Sequence, residues 1–141
     1  MARIKLEMPA NFTFKTTVPV RITDLNYGGH VGNDVILSIV HEARVQFYNH
    51  LGYNELHFAG VSTIMSDCAV VYKNESFYGD VLTIEVAAAD LNKYGFDLFF
   101  KLSNEANGKT VAEAKTGIVC FDYTARKVAM LPEEARIKLL A

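Results

Sequence analysis

The sequence predicts an α+β protein in which one antiparallel sheet of about five strands wraps around one long central helix. Residues 12–22 alternate between apolar and polar side chains, as a half-buried strand does. Residues 30–51 carry apolar side chains around most of the helix circumference, so this helix must be surrounded. Residues 61–123 then have the pattern of strands joined by short turns, without the alternating helices of a parallel sheet.

Two of the strands have a predicted place in the sheet. Pro19 has no N–H to donate to a neighbouring strand, so residues 12–22 are expected at an edge or around a bulge. Residues 61–72 are apolar on both faces, which predicts a central strand covered on both sides. Because a single sheet around one helix leaves one face and one edge bare, this pattern favours cover by a second subunit.

Turn and cap signals set the remaining boundaries. Gly52 is expected to end the long helix. Asn107-Gly108 lies between two alternating runs and predicts a hairpin, with a last strand at about 110–123. Pro132 is expected to begin a short C-terminal helix whose first turn is acidic.

Length and composition limit the class of protein. A chain of 141 residues, half of them hydrophobic, predicts one domain over residues 1–141 with a real core. A net charge of −2 with scattered Lys and Arg argues against nucleic acid or an anionic membrane as the main partner. No apolar stretch approaches the roughly 18 residues of a membrane span, so a cytoplasmic location is expected. Cys68 and Cys120 are expected to be buried free thiols.

The segment from Thr23 to Asp34 is the strongest functional signal. Carboxylate, amide and imidazole side chains and three glycines stand there between a strand and the long helix. Glycines let a ligand approach the main chain, and the first N–H groups of a helix attract developing negative charge. The segment therefore predicts an active site. An Asx turn followed by a glycine loop and a helix cap would also use Asp24, Asn26 and Asn33.

On these residues the chain resembles the hotdog-fold acyl-CoA thioesterases, in the branch that includes 4-hydroxybenzoyl-CoA thioesterase. The resemblance is carried by an Asp-x-(Asp/Asn)-x-x-Gly-His-Val loop at 24–31, by Glu42-Ala43-Arg44, by Tyr72 followed by Tyr78-Gly79-Asp80, and by Val111-Ala112-Glu113-Ala114. It implies a hotdog fold, hydrolysis of an acyl thioester and no cofactor beyond the coenzyme A of the substrate. It also implies a homodimer or homotetramer with sites at the subunit boundary.

The chain departs from the family at the usual catalytic carboxylate, which falls on Asn26. An amide cannot act as a general base or form an anhydride intermediate. Plant-type acyl-carrier-protein thioesterases are similar in this loop, and their Asp and His match Asp24 and His30. Asp24 and Glu42 remain the two candidate bases, since a helix glutamate serves in one branch of the family. His30 is a further catalytic candidate.

The predicted mechanism places the acyl chain in a tunnel between sheet and helix, with the thioester carbonyl at the helix start. Backbone N–H groups near Gly29 to Val31 would polarise the carbonyl, and Asn26 would orient the carbonyl or a water molecule. Asp24 or Glu42 would act as base. The predicted substrate-binding residues are Tyr27, Gly28, Gly29, Val31 and Asn33, with Tyr27 lining the tunnel and Val35, Ile39, Met65 or Phe99 closing it.

Structural interpretations of the same residues stay open. Asp24 would accept hydrogen bonds from the backbone of Asn26 or Tyr27, and Glu42 would pair with Arg44 or Arg21. Asn26 also favours a second class of protein, a non-catalytic acyl-thioester-binding protein with a degenerate site. A 3-hydroxyacyl dehydratase is disfavoured because the sequence lacks a suitable His motif. The histidines are too scattered to predict a metal site, and the carrier is either coenzyme A or acyl carrier protein.

Overall fold

The computed structural model describes residues 3–141 and contains one antiparallel sheet wrapped around one long helix. The strands are β1 (Phe14–Pro19), β2 (Ser62–Tyr72), β3 (Val81–Ala89), β4 (Gly95–Asn104), β5 (Thr110–Asp122) and β6 (Lys127–Val128), and the helices are α1 (Asn33–Leu51) and α2 (Glu133–Leu139). The strand order is β1-β3-β4-β5-β2, and the short β6 pairs with β5. The predicted α+β architecture is confirmed.

The core lies between α1 and the concave face of the sheet. Apolar side chains of α1 are buried against inward-facing residues of β3, β4 and β5. The buried α1 residues are Ile36, Ile39, Val40, Ala43, Phe47 and Tyr48, and the strands contribute Leu82, Ile84, Val86, Leu98, Phe100, Leu102, Ala112, Ala114 and Ile118. Gly52 follows α1 with a φ of 86°, so it ends the helix as predicted.

α1 begins at Asn33, three residues later than predicted. The intervening residues are extended, because their backbone groups pair with the connection between β2 and β3. Val31 N–H donates to the Ser76 carbonyl at 2.8 Å, and His30 lies opposite Phe77. A backbone held in an extended bridge cannot also form the first helical turn.

β1 is also shorter than the predicted strand at residues 12–22. Residues Ile22–Asp24 form a 3-10 turn instead. Ile22, expected on the buried face, is 67% exposed because that turn breaks the alternation. β1 is nevertheless an edge strand that contains Pro19, as expected.

β2 lies at the opposite edge of the sheet, so its predicted central position is wrong for the single chain. Its middle residues are exposed, and the pairing with β5 is irregular between Met65 and Asp67. No strand within residues 3–141 pairs with the outer edge of β2, although Thr63 N–H near its start donates to the Glu55 carbonyl at 2.7 Å. Cys68 is exposed rather than buried, whereas Cys120 is buried as predicted. Burial raises the pKa of the Cys120 thiol to about 11.

The remaining turn predictions are confirmed. Asn107 and Gly108 lie in the turn that joins β4 to β5. Pro132 immediately precedes α2, which closes the C-terminal end of α1: Lys138 Nζ donates to the Leu51 carbonyl at 3.0 Å. No helix in the described chain combines the length and apolar character needed to cross a bilayer.

Two residues proposed to close the acyl tunnel lie elsewhere. Phe99 pairs with Lys115 on the face of the sheet that points away from α1, since the alternate residues Leu98 and Phe100 occupy the core. Ile39 is buried within the core itself. Neither side chain therefore borders a space between α1 and the free edge of β2.

Packing of β4 against α1 is expected to dominate stability. Leu98 is completely buried, so Leu98→Ala should lower the free energy of unfolding by about 2–5 kcal/mol. Leu140→Ala is the matched control, because Leu140 is 61% exposed and its truncation should change stability by less than about 0.5 kcal/mol. Urea unfolding measures both. Equal effects of the two substitutions would contradict this core assignment.

Candidate active site

Asp24 is a structural carboxylate in the single chain. It is buried and accepts a hydrogen bond from Arg21 N–H at 2.8 Å, while the Arg21 guanidinium lies 3.2 Å from its second oxygen. The expected partners Asn26 and Tyr27 are wrong, because the 3-10 turn brings Arg21 over the carboxylate. Asp24 therefore ties the end of β1 to the loop that precedes α1.

Asn26 organises the tip of this loop. Its side-chain oxygen accepts from Gly28 N–H at 2.9 Å, and its carbonyl accepts from Gly29 N–H at 3.1 Å. Gly29 has a φ of 77°, a conformation that favours glycine. Tyr27 at the tip is fully exposed and lines no cavity of the single chain, contrary to the tunnel prediction. The turn interpretation thus accounts for the contacts of these residues within one subunit.

The predicted oxyanion donors are largely committed elsewhere. Gly29 N–H donates to Asn26 and Val31 N–H to Ser76, so neither is open to a ligand. The amide at the first position of α1 differs: Asn33 N–H finds no acceptor among residues 3–141. It lies at the positive end of the helix macrodipole, which favours developing negative charge. His30 N–H, the middle one of the predicted donors, also finds no acceptor among residues 3–141, so the open amides of this segment are those of His30 and Asn33.

A cavity of about 300 Å³ lies between the start of α1 and the connection from β2 to β3. Its lining residues are His30, Val31, Asn33, Ile36, Tyr72, Lys73, Asn74, Glu75, Ser76 and Val111. We call this space the reaction cavity. Three of the predicted site residues line it, namely His30, Val31 and Asn33. Asp24, Asn26, Tyr27, Gly28, Gly29 and Glu42 are not among its lining residues.

His30 is oriented within the reaction cavity by two neighbours. Its Nδ1 is 3.1 Å from the Val31 carbonyl, an arrangement that requires the Nδ1–H tautomer and leaves a lone pair on Nε2. Nε2 is 3.9 Å from the Glu75 carboxylate, close enough for charge pairing but too far for a direct hydrogen bond. The imidazole is therefore prepared to accept a proton beside a carboxylate.

Glu42 lies on a different surface of α1. It is exposed and accepts a hydrogen bond from Gln46 at 2.8 Å, so the predicted pairing with Arg44 or Arg21 is wrong. Arg44 instead donates to Glu55 at 3.0 Å, and His41 lies at the same distance from the same oxygen. Glu42 cannot be brought to the reaction cavity of its own subunit without rebuilding α1, because it is about two and a half turns from Asn33.

Sequence reasoning missed Glu75, Ser76 and the role of Asp80. Asp80 accepts from Phe77 N–H at 2.8 Å and from the hydroxyl of the buried Ser76 at 3.3 Å, which orders the connection that carries Glu75. The Tyr78-Gly79-Asp80 turn, which is part of the family resemblance, could have located this connection. No pattern in the sequence brings Glu75 to His30, because 44 intervening residues separate them and only the backbone bridge joins the two segments.

The described residues hold no group of three or more His, Cys, Asp and Glu side chains suited to a metal ion. The residues that line the reaction cavity instead supply a helix-start amide, an imidazole with its carboxylate, one lysine, and the polar side chains of Asn33, Tyr72, Asn74 and Ser76. Together they can stabilise negative charge on a carbonyl oxygen and accept a proton from water.

Comparison with known proteins assigns this arrangement to a family. The family model of the thioesterase-like superfamily matches residues 20–139. The chain belongs to the thioesterase-like superfamily. The predictions of a hotdog fold and of a thioester hydrolase are thereby confirmed.

Individual relatives agree with this family. Over 126 residues the chain is 27% identical to the long-chain acyl-CoA thioesterase FadM of Escherichia coli K12, spanning 89% of this chain and 96% of that protein. A 1,4-dihydroxy-2-naphthoyl-CoA thioesterase from Synechocystis superimposes with a TM-score of 0.82 at 19% identity, over 89% of this chain and 94% of that one. A Thermus thermophilus thioesterase complexed with coenzyme A and zinc gives a TM-score of 0.81 at 24% identity, over 93% of this chain and 100% of that one.

Removing the Asp24 carboxylate is expected to destabilise the fold. Asp24→Ala leaves Arg21 N–H without its acceptor and should lower the free energy of unfolding by about 1–3 kcal/mol. Asp34→Ala is the control, since Asp34 is exposed in the first turn of α1 and contributes at most about 1 kcal/mol through the helix dipole. Urea unfolding provides the comparison. An Asp24→Ala variant of unchanged stability but abolished turnover would instead identify Asp24 as a catalytic base.

Proposed function

We propose that this protein hydrolyses acyl-CoA thioesters in the reaction cavity, with the Asn33 N–H group as oxyanion donor and His30 as general base. The observation that carries the proposal is that Asn33, whose helix-start N–H finds no acceptor among residues 3–141, and His30, whose imidazole is oriented, line one largely apolar cavity. An apolar cavity with few convergent polar groups is the usual form of a small-molecule site. An acyl thioester fits such a cavity, because its acyl chain is apolar and its carbonyl oxygen can accept a hydrogen bond.

The oxyanion step depends on α1. As water attacks the thioester carbon, negative charge grows on the carbonyl oxygen, and Asn33 N–H can donate to that oxygen. The helix macrodipole adds to this effect because Asn33 is the first residue of α1. One such donor typically contributes roughly 10²–10³ in rate. The thiolate is a good leaving group, so the reaction needs little acid assistance.

Another residue must act as general base, because Asn26 stands where the family usually has a catalytic carboxylate. His30 Nε2 takes a proton from water, and the hydroxide that forms attacks the carbonyl carbon. Glu75 stabilises the resulting imidazolium across 3.9 Å. The tetrahedral intermediate then breaks its carbon–sulfur bond, and the thiolate takes the proton from His30. The products are a free acid and a thiol, and the histidine is neutral again.

The other predicted residues take supporting roles in this proposal. Asp24 and Asn26 hold the loop in the conformation that presents His30, and Gly28 and Gly29 form its turn. Glu42 remains an alternative base only if a second subunit brings it to the cavity. A non-catalytic acyl-thioester-binding protein is the second candidate function, favoured by the amide of Asn26 at the usual carboxylate position.

Coenzyme A is the carrier to test first. The relative FadM is named as acting on long-chain acyl-CoA, and the Thermus thermophilus thioesterase is complexed with coenzyme A. Acyl carrier protein remains the alternative carrier. A cytoplasmic location is part of the proposal, supported by two cysteines that are both free, as is usual in a reducing compartment.

We further propose a homodimer formed through β2. Beyond Thr63, whose N–H donates to Glu55, this strand of 11 residues has an outer edge with no strand partner among residues 3–141, and long bare edges associate readily. Its one charged side chain, Asp67, is bonded to Lys115 at 2.8 Å, and this bond lowers the pKa of Asp67. The edge therefore presents no free charge that would repel a second copy. A tetramer would require a further contact.

Release of thiol from a panel of short, long and aromatic acyl-CoAs tests the catalytic proposal. His30→Gln should lower kcat by about 10²–10⁴, the usual contribution of a general base, with a smaller fall for Glu75→Gln. Glu105→Gln is the matched control, because Glu105 is exposed in the turn between β4 and β5. Unchanged turnover in His30→Gln together with collapse in Glu42→Gln would move the base to the neighbouring subunit. A folded wild type that acts on no substrate would favour the binding protein.

Sedimentation equilibrium tests the dimer. The wild type is expected at twice the 15.7 kDa chain mass. Cys68→Arg should shift it toward the monomer, since Cys68 is exposed near the middle of β2 and two arginines would meet across the paired edges. Asn74→Arg, an exposed position beyond the end of β2, should leave the mass unchanged. A wild-type mass of one chain would contradict the proposal.

A further inference from the structure

Tyr72 links the free edge of the sheet to the start of α1. It is the last residue of β2, and its hydroxyl donates to the Asn33 carbonyl at 3.0 Å. Its side chain also lines the reaction cavity, although the residue is 53% exposed. The hydrogen bond therefore holds an otherwise accessible ring across one side of the cavity.

A second cavity of about 240 Å³ lies farther along the same seam between α1 and β2. We call it the distal groove. Its lining residues are Leu37, Ser38, Val40, His41, Arg44, Met65 and Thr116. On α1, Leu37 of the distal groove is next in sequence to Ile36 of the reaction cavity. On β5, Thr116 of the distal groove lies five positions after Val111 of the reaction cavity. Both spaces are thus lined by α1, β2 and β5, and residues 66–71 of β2 lie between Met65 of the distal groove and Tyr72 of the reaction cavity.

On the face that points toward α1, the stretch of β2 between the two cavities carries small or apolar side chains. Cys68 and Val70 pair with Thr116 and Ala114, whose side chains point toward α1. Tyr72 is the large side chain of this stretch, and it stands at the boundary of the reaction cavity. The far end of the groove is polar, because Arg44 is nine-tenths buried there and pairs with Glu55. A chain entering past Tyr72 would meet an apolar path before a charged end.

We propose that Tyr72 is a gate that determines which acyl-chain lengths the site accepts; this inference rests on the proposed function. With its hydroxyl on Asn33, the ring confines short or aromatic acyl groups to the reaction cavity. When the hydrogen bond breaks and the ring turns outward about χ1, a long chain passes beneath the edge of β2 into the distal groove. The ring has room for this rotation in the single subunit, where Tyr72 is 53% exposed at the very end of β2.

Removal of the ring should favour long chains. Tyr72→Ala is expected to raise the ratio of kcat/KM for a sixteen-carbon over a six-carbon acyl-CoA by at least about tenfold, since each methylene buried in the groove contributes roughly fourfold. Tyr72→Phe keeps the ring but loses the hydrogen bond, so it should shift the ratio less, in the same direction. Tyr78→Ala is the control, because Tyr78 is 64% exposed and lines neither cavity.

Filling the groove provides the opposing test. Leu37→Trp in the Tyr72→Ala background should abolish the gain for the long chain and leave the six-carbon substrate unaffected. An unchanged ratio in Tyr72→Ala, an equal loss at every chain length, or no effect of Leu37→Trp would each overturn the gate. Urea unfolding midpoints identify a variant that fails to fold. If Tyr72→Ala does not fold, the substrate ratio of Tyr72→Phe tests the gate instead.

Calorimetry separates the gate from the proposed function. The dissociation constants of the same acyl-CoAs are measured with catalytically slow His30→Gln protein, with and without Tyr72→Ala. A chain-length dependence that steepens in the double variant supports the gate even if the wild type releases no thiol. If the dissociation constants depend on chain length equally in His30→Gln and in the double variant, the gate is rejected, whether or not the wild type releases thiol.

Discussion

Burial of α1 is the constraint on which the rest of the structure depends. Its apolar side chains cover most of the circumference, so the sheet must curl around it to remove them from water. Gly52 and α2 close its C-terminal end, where Lys138 contacts the last turn. The first turn and the flank beside β2 are left open. The proposed site therefore lies where the open start of α1 and an accessible seam beside β2 come together.

Backbone pairing, rather than side-chain chemistry, assembles the catalytic groups. The bond from Val31 N–H to the Ser76 carbonyl delays the start of α1 and brings the glycine loop against the connection that follows β2. His30 and Glu75 meet as a result. Asp80 fixes that connection from the other side through Phe77 and Ser76. The proposed pair of general base and carboxylate thus depends on backbone contacts.

The free edge of β2 bears both on the proposed dimer and on the proposed site. Asp67 is held by Lys115, which also lies 3.6 Å from Asp97, where burial raises the carboxyl pKa. The hydrogen bond to Asp67 in turn raises the pKa of Lys115. On the outer face, one lysine is thus shared between two carboxylates. The same strand ends in Tyr72, so a partner docked on this edge would lie beside both the seam and the ring that divides it.

Local sequence patterns were sufficient to predict the fold class, the packing of α1 against the sheet, the edge position of Pro19, the turns at Gly52 and Asn107-Gly108, and the loop that bears His30, because local periodicity and turn chemistry determine these features. The predicted burial of α1 on all sides was wrong, because its Glu42 face is exposed. Only the tertiary structure decided that Asp24 binds Arg21, that Asn33 carries an open amide, that β2 is an edge and that Glu75 stands beside His30. Each of these depends on contacts between distant segments or on a late helix start, and no local pattern records them.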